Sequence, residues 1–365
     1  MKTWPQARRT KQNQVTMRII GAGSAFPENI YKQQEITSAL KEAWQSQLDN
    51  PEVLDRLHSR CGVERRHLVL PLEAYDRVTT WGQANDLWID AAQTLGRDAI
   101  CRAITPLGIL PRDIDALFFV SVTGVASPSI DARLVNRMGL SPNIKRIPMF
   151  GLGCVAGAAG LARAADYVRA FPDQVAVVLA VELCSLTWQR DDVSVANMIS
   201  TGLFGDGAAA AVVAGRDTEF KGPEILATKS VFYPGSEDVM GWDISETGFH
   251  IVLSPDVPKV IRENLGGDVD TFLAESGIKR SEIASWIIHT GGPKVLEAVE
   301  DSLDLAPDAL KLSWECLKQV GNLSSASVLV VLQEVLAHHR GKPGTYSVLA
   351  AMGPGFCSEL LLLRW

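Results

Sequence analysis

The chain has 365 residues, enough for two packed units of ordinary domain size. Hydrophobic residues make up 47% and charged residues 21%, a globular composition that excludes a disordered or low-complexity chain. A formal net charge of -7 excludes general nucleic-acid binding, which shows a basic balance.

The first sixteen residues carry Lys2, Arg8, Arg9 and Lys11, with no acid and no apolar segment behind them. They read as a frayed basic tail and not as a signal peptide. No apolar run reaches the roughly 18 residues of a membrane helix; the nearest, 347–357, is broken by Gly-Pro-Gly. Six scattered cysteines fit free thiols in a reducing compartment rather than a disulfide or metal framework. The expectation is a cytoplasmic protein with no membrane and no nucleic-acid partner.

After the tail, short apolar strands alternate with helical stretches, the pattern of an α/β protein. Strands are expected at 17–21, 116–122, 175–181, 208–213, 286–288 and 346–350. The weakest seam, at 215–222, divides the chain into expected units 17–219 and 220–365, after the tail 1–16. An internal repeat lies beneath weak identity. Residues 109–123 read as turn, Pro-Arg-Asp-Ile, strand and small polar end; residues 278–291 read as turn, Arg-Ser-Glu-Ile, strand and His-Thr-Gly. Cys154 follows Ile114 by 40 positions and Asn322 follows Ile283 by 39, each opening a helix of small residues. The two halves are expected to share one fold.

Cys154 lies in Gly151-Leu-Gly-Cys-Val-Ala-Gly-Ala-Ala-Gly160 at an expected helix start, where free N–H groups and the dipole favour a thiolate. A packed core thiol is the plainer reading of the residue taken alone. His289 ends the strand Trp286-Ile-Ile-His289 and opens a Gly-rich loop, where open α/β sheets place ligands; a satisfied core histidine reads equally well. The other histidines, His58 among them, sit in charged or mixed contexts. Asn322, in Gly321-Asn-Leu-Ser-Ser-Ala, holds in the second half the place of Cys154 in the first, although an amide at a helix start is more often a cap. Together the three could activate a thiol and hold an oxyanion. Gly21-Ala-Gly-Ser-Ala-Phe26 lacks the third glycine of a dinucleotide fingerprint, so no nucleotide cofactor is expected there. Arg56, Arg60, Arg65 and Arg66 form a basic run that either meets phosphates or is a solvated face.

With these motifs in order, the sequence resembles the thiolase superfamily and, within it, the chalcone synthase-like type III polyketide synthases. Gly153-Cys154-Val-Ala-Gly resembles the nucleophile motif, His289-Thr-Gly-Gly-Pro the histidine motif and Gly321-Asn322-Leu-Ser-Ser-Ala the asparagine motif. Leu203-Phe204-Gly-Asp-Gly resembles the gatekeeper loop, and Gly353-Pro354-Gly355 the C-terminal cyclisation loop, here preceded by Ala351-Met352 where the family has Gly-Phe.

The resemblance implies a five-layer αβαβα thiolase-like fold of two duplicated halves, a homodimer, and CoA thioesters as substrates with no metal or other cofactor. It implies Cys154 as acyl carrier and His289 and Asn322 as the pair that decarboxylates malonyl-CoA. Phe204 and Phe249 match the gatekeepers; Arg56, Arg60, Gly291, Gly292 and Lys294 fall where the family binds CoA. The matching pocket positions hold Thr123, Ser127, Cys184, Thr187 and Ser324. Ser127 replaces a methionine that reaches across the dimer in many relatives. The small pocket side chains favour a long-chain acyl-CoA starter and an alkylpyrone or alkylresorcinol product. The alternatives are a malonyl-primed synthase of tetrahydroxynaphthalene or phloroglucinol type, a β-ketoacyl-ACP synthase III-like enzyme, and an inactive relative that has kept the fold.

Overall fold

Val175–Leu183 and Asp206–Ala214 are strands buried along their whole length. Continuous runs of Val, Ala and Leu suit strands with helices on both faces, where alternation has no use. The computed structural model describes residues 16–338 and 341–365, so nearly all of the basic tail lies outside the described residues.

In chain order the first half runs β1 (Met17–Ala25), β2 (Asn29–Lys32), α1 (Gln33–Ala43), α2 (Glu52–His58), β3 (Arg65–Leu68), α3 (Trp81–Ile104), β4 (Ala116–Val120), α4 (Ile130–Met138), β5 (Lys145–Met149), α5 (Ala156–Ala170), β6 (Val175–Leu183), α6 (Val195–Leu203) and β7 (Asp206–Ala214). The second runs β8 (Glu224–Phe232), β9 (Met240–Ser245), β10 (Gly248–Leu253), α7 (Val257–Glu275), β11 (Ile283–Ile288), α8 (Pro293–Leu303), α9 (Lys311–Val320), α10 (Ser327–His338), β12 (Tyr346–Gly353) and β13 (Cys357–Arg364). All six expected strands are present within this set.

The main sheet has the order β11-β12-β13-β8-β1-β7-β6-β4-β5. β4 and β6 are parallel, β6 and β7 antiparallel, β7 and β1 antiparallel. The second half repeats this: β11 and β12 parallel, β12 and β13 antiparallel, β13 and β8 antiparallel. β1 meets β8 antiparallel at the centre, through Met17 with Ile225 and Arg18 with Glu224. The duplication seen in the sequence is thus a duplication of strand order and direction.

Pleating sorts the side chains into layers. In β6, Val175, Val177, Leu179 and Val181 pack with α3, whereas Ala176, Val178 and Ala180 pack with α5 and α10. In β13, Leu361 and Leu363 join α5 and α10, and Leu360 and Leu362 face α7 and α8. The result is five layers: α3, half-sheet, α5 with α10, half-sheet, α7 with α8. The middle layer is tight. A Cβ at Gly157 of α5 would lie 2.2 Å from Ser325 O, so only glycine lets the two central helix starts meet. Among the described residues, no helix is long and apolar enough to cross a membrane.

Candidate active site

Cys154 stands in a 3-10 turn, Gly153–Val155, that leads straight into α5, so the thiol is at the start of the central helix as its sequence setting implied. The side chain is buried, and its Sγ donates to Ser324 Oγ at 3.6 Å. One expectation is corrected here. Burial pushes the Cys154 thiol up to about 12, against the smaller downward pull of Ser324, its own backbone N–H and Asn322. Desolvation of a charged sulfur outweighs what the helix start offers it.

His289 follows β11, and its N–H donates to Ala350 O at 3.0 Å. Only 2% of the residue is exposed, and burial pushes its imidazole down to about 4. It is therefore neutral near pH 7, and Nδ1 has no partner among the described residues. The free site thus holds a thiol and a neutral imidazole rather than separated charges.

Asn322 is tied in on every side. Its Oδ1 accepts from Ser324 N at 2.8 Å and Ser327 Oγ at 3.4 Å, the capping role open to an amide at this place. Its Nδ2 donates to Gly291 O at 3.4 Å, two residues beyond His289. Its backbone N–H donates to Leu203 O at 2.9 Å and its carbonyl accepts from Gly205 N at 3.0 Å, which fixes Phe204 beside it. Ser324 holds a left-handed φ of 47°, strained for a residue with a Cβ and held by the bond to Asn322. Phe249 is buried and meets the edges or faces of Trp81 and Trp242 at 6.0 and 5.7 Å.

Glu182, which the sequence reading passed over, lies fully buried at the end of β6. Its Oε2 accepts from Thr123 Oγ1 at 2.9 Å, Val122 N at 3.1 Å and Ser121 Oγ at 3.3 Å, and Oε1 accepts from Ser325 Oγ. Burial pushes its carboxyl up to about 7. The signal was available: one carboxylate inside a nine-residue apolar strand.

A cavity of about 520 Å³ opens beside this centre and is lined by Cys184, Thr187, Phe204, Tyr75 and Trp188, among others. Of the pocket positions named from sequence, Cys184 and Thr187 line it. Thr123 instead turns to Glu182, Ser324 to Cys154, and Ser127 is exposed. The Gly353-Pro354-Gly355 turn joins β12 to β13 and packs on the Cys154 turn, while Ala351 and Met352 lie within β12.

Arg56, Arg60 and Lys294 are exposed. A Cβ at Gly62 would come to 3.0 Å from Pro293 Cγ, so the segment after α2 meets the start of α8 and brings Arg60 toward Gly291, Gly292 and Lys294. Arg66 does not belong to that basic rim. It is 1% exposed, because alternation along β3 turns Arg65 out and Arg66 in. Among the described residues, no group of three or more His, Cys, Asp or Glu could hold a metal ion.

Residues 5–217 match the N-terminal domain of chalcone and stilbene synthases, and residues 224–365 match the C-terminal domain. The chain is 48% identical over 350 residues to 1,3,6,8-tetrahydroxynaphthalene synthase of Streptomyces peucetius subsp. caesius, covering 95% of this chain and 93% of that protein. It is 32% identical to 3,5-dihydroxyphenylacetyl-CoA synthase of Streptomyces toyocaensis, covering 95% and 90%. The crystal structure of 1,3,6,8-tetrahydroxynaphthalene synthase from Streptomyces coelicolor A3(2), a bacterial type III polyketide synthase, matches with a TM-score of 0.89 at 32% identity, over 95% of this chain and 99% of that one. The five layers are therefore the thiolase-like α/β fold. The chain belongs to the chalcone and stilbene synthase family and is a type III polyketide synthase, an acyltransferase.

Proposed function

We propose that this enzyme primes itself with malonyl-CoA and extends the chain with further malonyl-CoA to a tetrahydroxynaphthalene-type product. The observation that carries this reading is the 48% identity to a tetrahydroxynaphthalene synthase, a malonyl-primed enzyme. That naphthalene bears oxygen at alternating positions and no alkyl side chain, the mark of two-carbon units throughout. The long-chain starter favoured by the small pocket residues has less support, since Thr123 and Ser127 do not line the cavity. The family uses CoA thioesters and no cofactor beyond them.

In this reading Cys154 Sγ attacks the primer thioester while His289 accepts the thiol proton, CoA leaves, and the acyl group stays on sulfur. Arg56, Arg60, Lys294 and the Gly291-Gly292 backbone hold CoA. His289 and Asn322 Nδ2 then hold the thioester oxygen of a second malonyl-CoA as carbon dioxide departs. The resulting enolate attacks the Cys154-bound carbonyl, the sulfur leaves, and the chain, longer by two carbons, moves onto CoA. A donor to such an oxyanion is worth about 10²–10³ in turnover. Phe204 and Phe249 stand between the CoA channel and the cavity, and the Gly353–Gly355 loop shapes ring closure.

A homodimer with the Ser127 loop at its interface belongs to the same reading, supported by exposed Val125 and Phe150. So does a cytoplasmic location, and so do halves at 17–219 and 220–365, these last supported by the break between the matched regions at 217 and 224. The test is mass spectrometry of products from malonyl-CoA alone and with acyl-CoA starters of two to eighteen carbons. A product of tetrahydroxynaphthalene mass from malonyl-CoA alone is expected. Products that form only with long-chain starters would overturn the reading.

A further inference from the structure

Arg66 has one protein partner for a fork of five donors. Its Nη1 donates to Phe204 O at 2.5 Å. Nε and Nη2 meet no partner among the described residues. These two nitrogens share the edge of the guanidinium that binds a carboxylate with two parallel hydrogen bonds. No carboxylate of the described residues lies within ion-pair distance. Asp206, the acid whose charge reaches Arg66, already accepts from Val69 N, Ser185 N and Ser185 Oγ.

Leaving the donors of a buried charge unmade is costly, more so than for a neutral group. Such an arrangement points to a ligand. Arg66 lines the cavity with Cys184, Thr187 and Phe204, and the exposed acids Glu42, Glu73 and Asp76 line the same cavity. An anion inside is repelled by those acids and drawn to Arg66. Cys184 lines this space, and its thiol lies within electrostatic reach of both Cys154 and Arg66.

We propose that Arg66 is the anion receptor for the free end of the Cys154-bound chain, its Nε and Nη2 holding the distal carboxylate of a malonyl-derived acyl group. The enzyme thereby selects a dicarboxylic primer over a neutral one. The proposal rests on the malonyl-primed reading and adds the residue that enforces it.

The experiment compares wild type with Arg66→Lys and Arg66→Gln. Malonyl-CoA is the extender in every reaction, with priming by malonyl-CoA or by added butanoyl-CoA, and both products are read by mass spectrometry. Because malonyl-CoA decarboxylation serves both routes, their ratio isolates the primer. The ratio is expected to shift toward the butanoyl-primed product by about tenfold to a hundredfold, the worth of hydrogen bonds to a charged group. An equal fall in both routes, or no change, would overturn the proposal and leave Arg66 as a support for Phe204. If circular dichroism shows the Arg66 variants unfolded, Thr187→Asp decides, because it keeps Arg66 and sets a fixed carboxylate in the same cavity. It should depress the malonyl-primed product selectively, and an unchanged ratio would again overturn the proposal. Wild type separates the two ideas. If it yields only butanoyl-primed product, the malonyl-primed reading fails and takes Arg66 with it; if it makes malonyl-primed product and the ratios stay fixed, only the role of Arg66 fails.

Discussion

Pro354 closes over Gly153. A Cβ added at Gly153 would lie 2.6 Å from Pro354 Cδ and 2.8 Å from Cγ, and the residue holds a left-handed φ of 53°. The loop that closes the second half thus sits against the turn that presents the thiol of the first. Gly153→Ala meets both the ring and the backbone strain, which together cost about 1–3 kcal/mol. The expected result is a lower urea midpoint and loss of most condensation, because the turn must shift at the thiol itself. An alanine variant with wild-type midpoint and product yield would show that the turn tolerates the contact.

Cys154→Ala is expected to abolish condensation and leave the far-ultraviolet circular dichroism unchanged. His289→Ala and Asn322→Ala should slow malonyl-CoA decarboxylation, each by about 10²–10³ if each supplies an oxyanion donor. Carbon dioxide release from malonyl-CoA measures this apart from chain transfer. Unchanged release in both variants would remove His289 and Asn322 from the decarboxylation step.

Glu182 offers a test of how the two halves are locked together. Its carboxyl joins β6 and the Val122–Thr123 segment of one half to Ser325 of the other. Glu182→Leu leaves those three buried donors without an acceptor and should destabilise the protein by about 3 kcal/mol or more, at 1–3 kcal/mol per group. Glu182→Gln keeps an oxygen at the site and should cost less. Equal losses in the two variants, measured by urea denaturation, would mean that packing and not the hydrogen bonds holds the junction.

The layers were legible in the sequence where burial is complete. Val175–Leu183 and the Ala/Gly stretch of α5 have no polar face, and each formed the element expected of it. β8 was not legible, because Glu224, Thr228, Lys229 and Ser230 break its apolar run while the strand is held between β1 and β13. The short hairpin of β2 and β3 was missed for a related reason. Four residues are too few to show a period, and within them Arg65 and Arg66 look alike although one faces water and the other the core. The places of Cys154 and Asn322 at helix starts and of His289 after a buried strand were readable from local motifs; the thiol's ionisation was not, since it depends on how deeply the middle layer buries the helix start.

His58 sits in a sequence context of charges yet is 1% exposed, with Nδ1 against Thr37 Oγ1 at 2.8 Å and Nε2 against Met198 O at 3.1 Å. Burial, with the nearby Arg66 charge, pushes its imidazole down from 6.5 to about 4. The unfolded chain therefore binds a proton at His58 between those values while the folded chain does not, so its contribution falls as pH drops through that window. At about 1.4 kcal/mol per unit the loss reaches up to roughly 3 kcal/mol by pH 4. Glu182 and Asp206, raised to about 7 and about 6, act in the opposite sense, because the folded state keeps their protons longer as pH rises. The measurement is consequently a difference: urea midpoints of wild type and His58→Gln at pH 7.5, 6 and 5. The stability of wild type relative to the variant should shrink at each step toward acid. A difference that stays constant over the series would show that His58 binds its proton equally in both states.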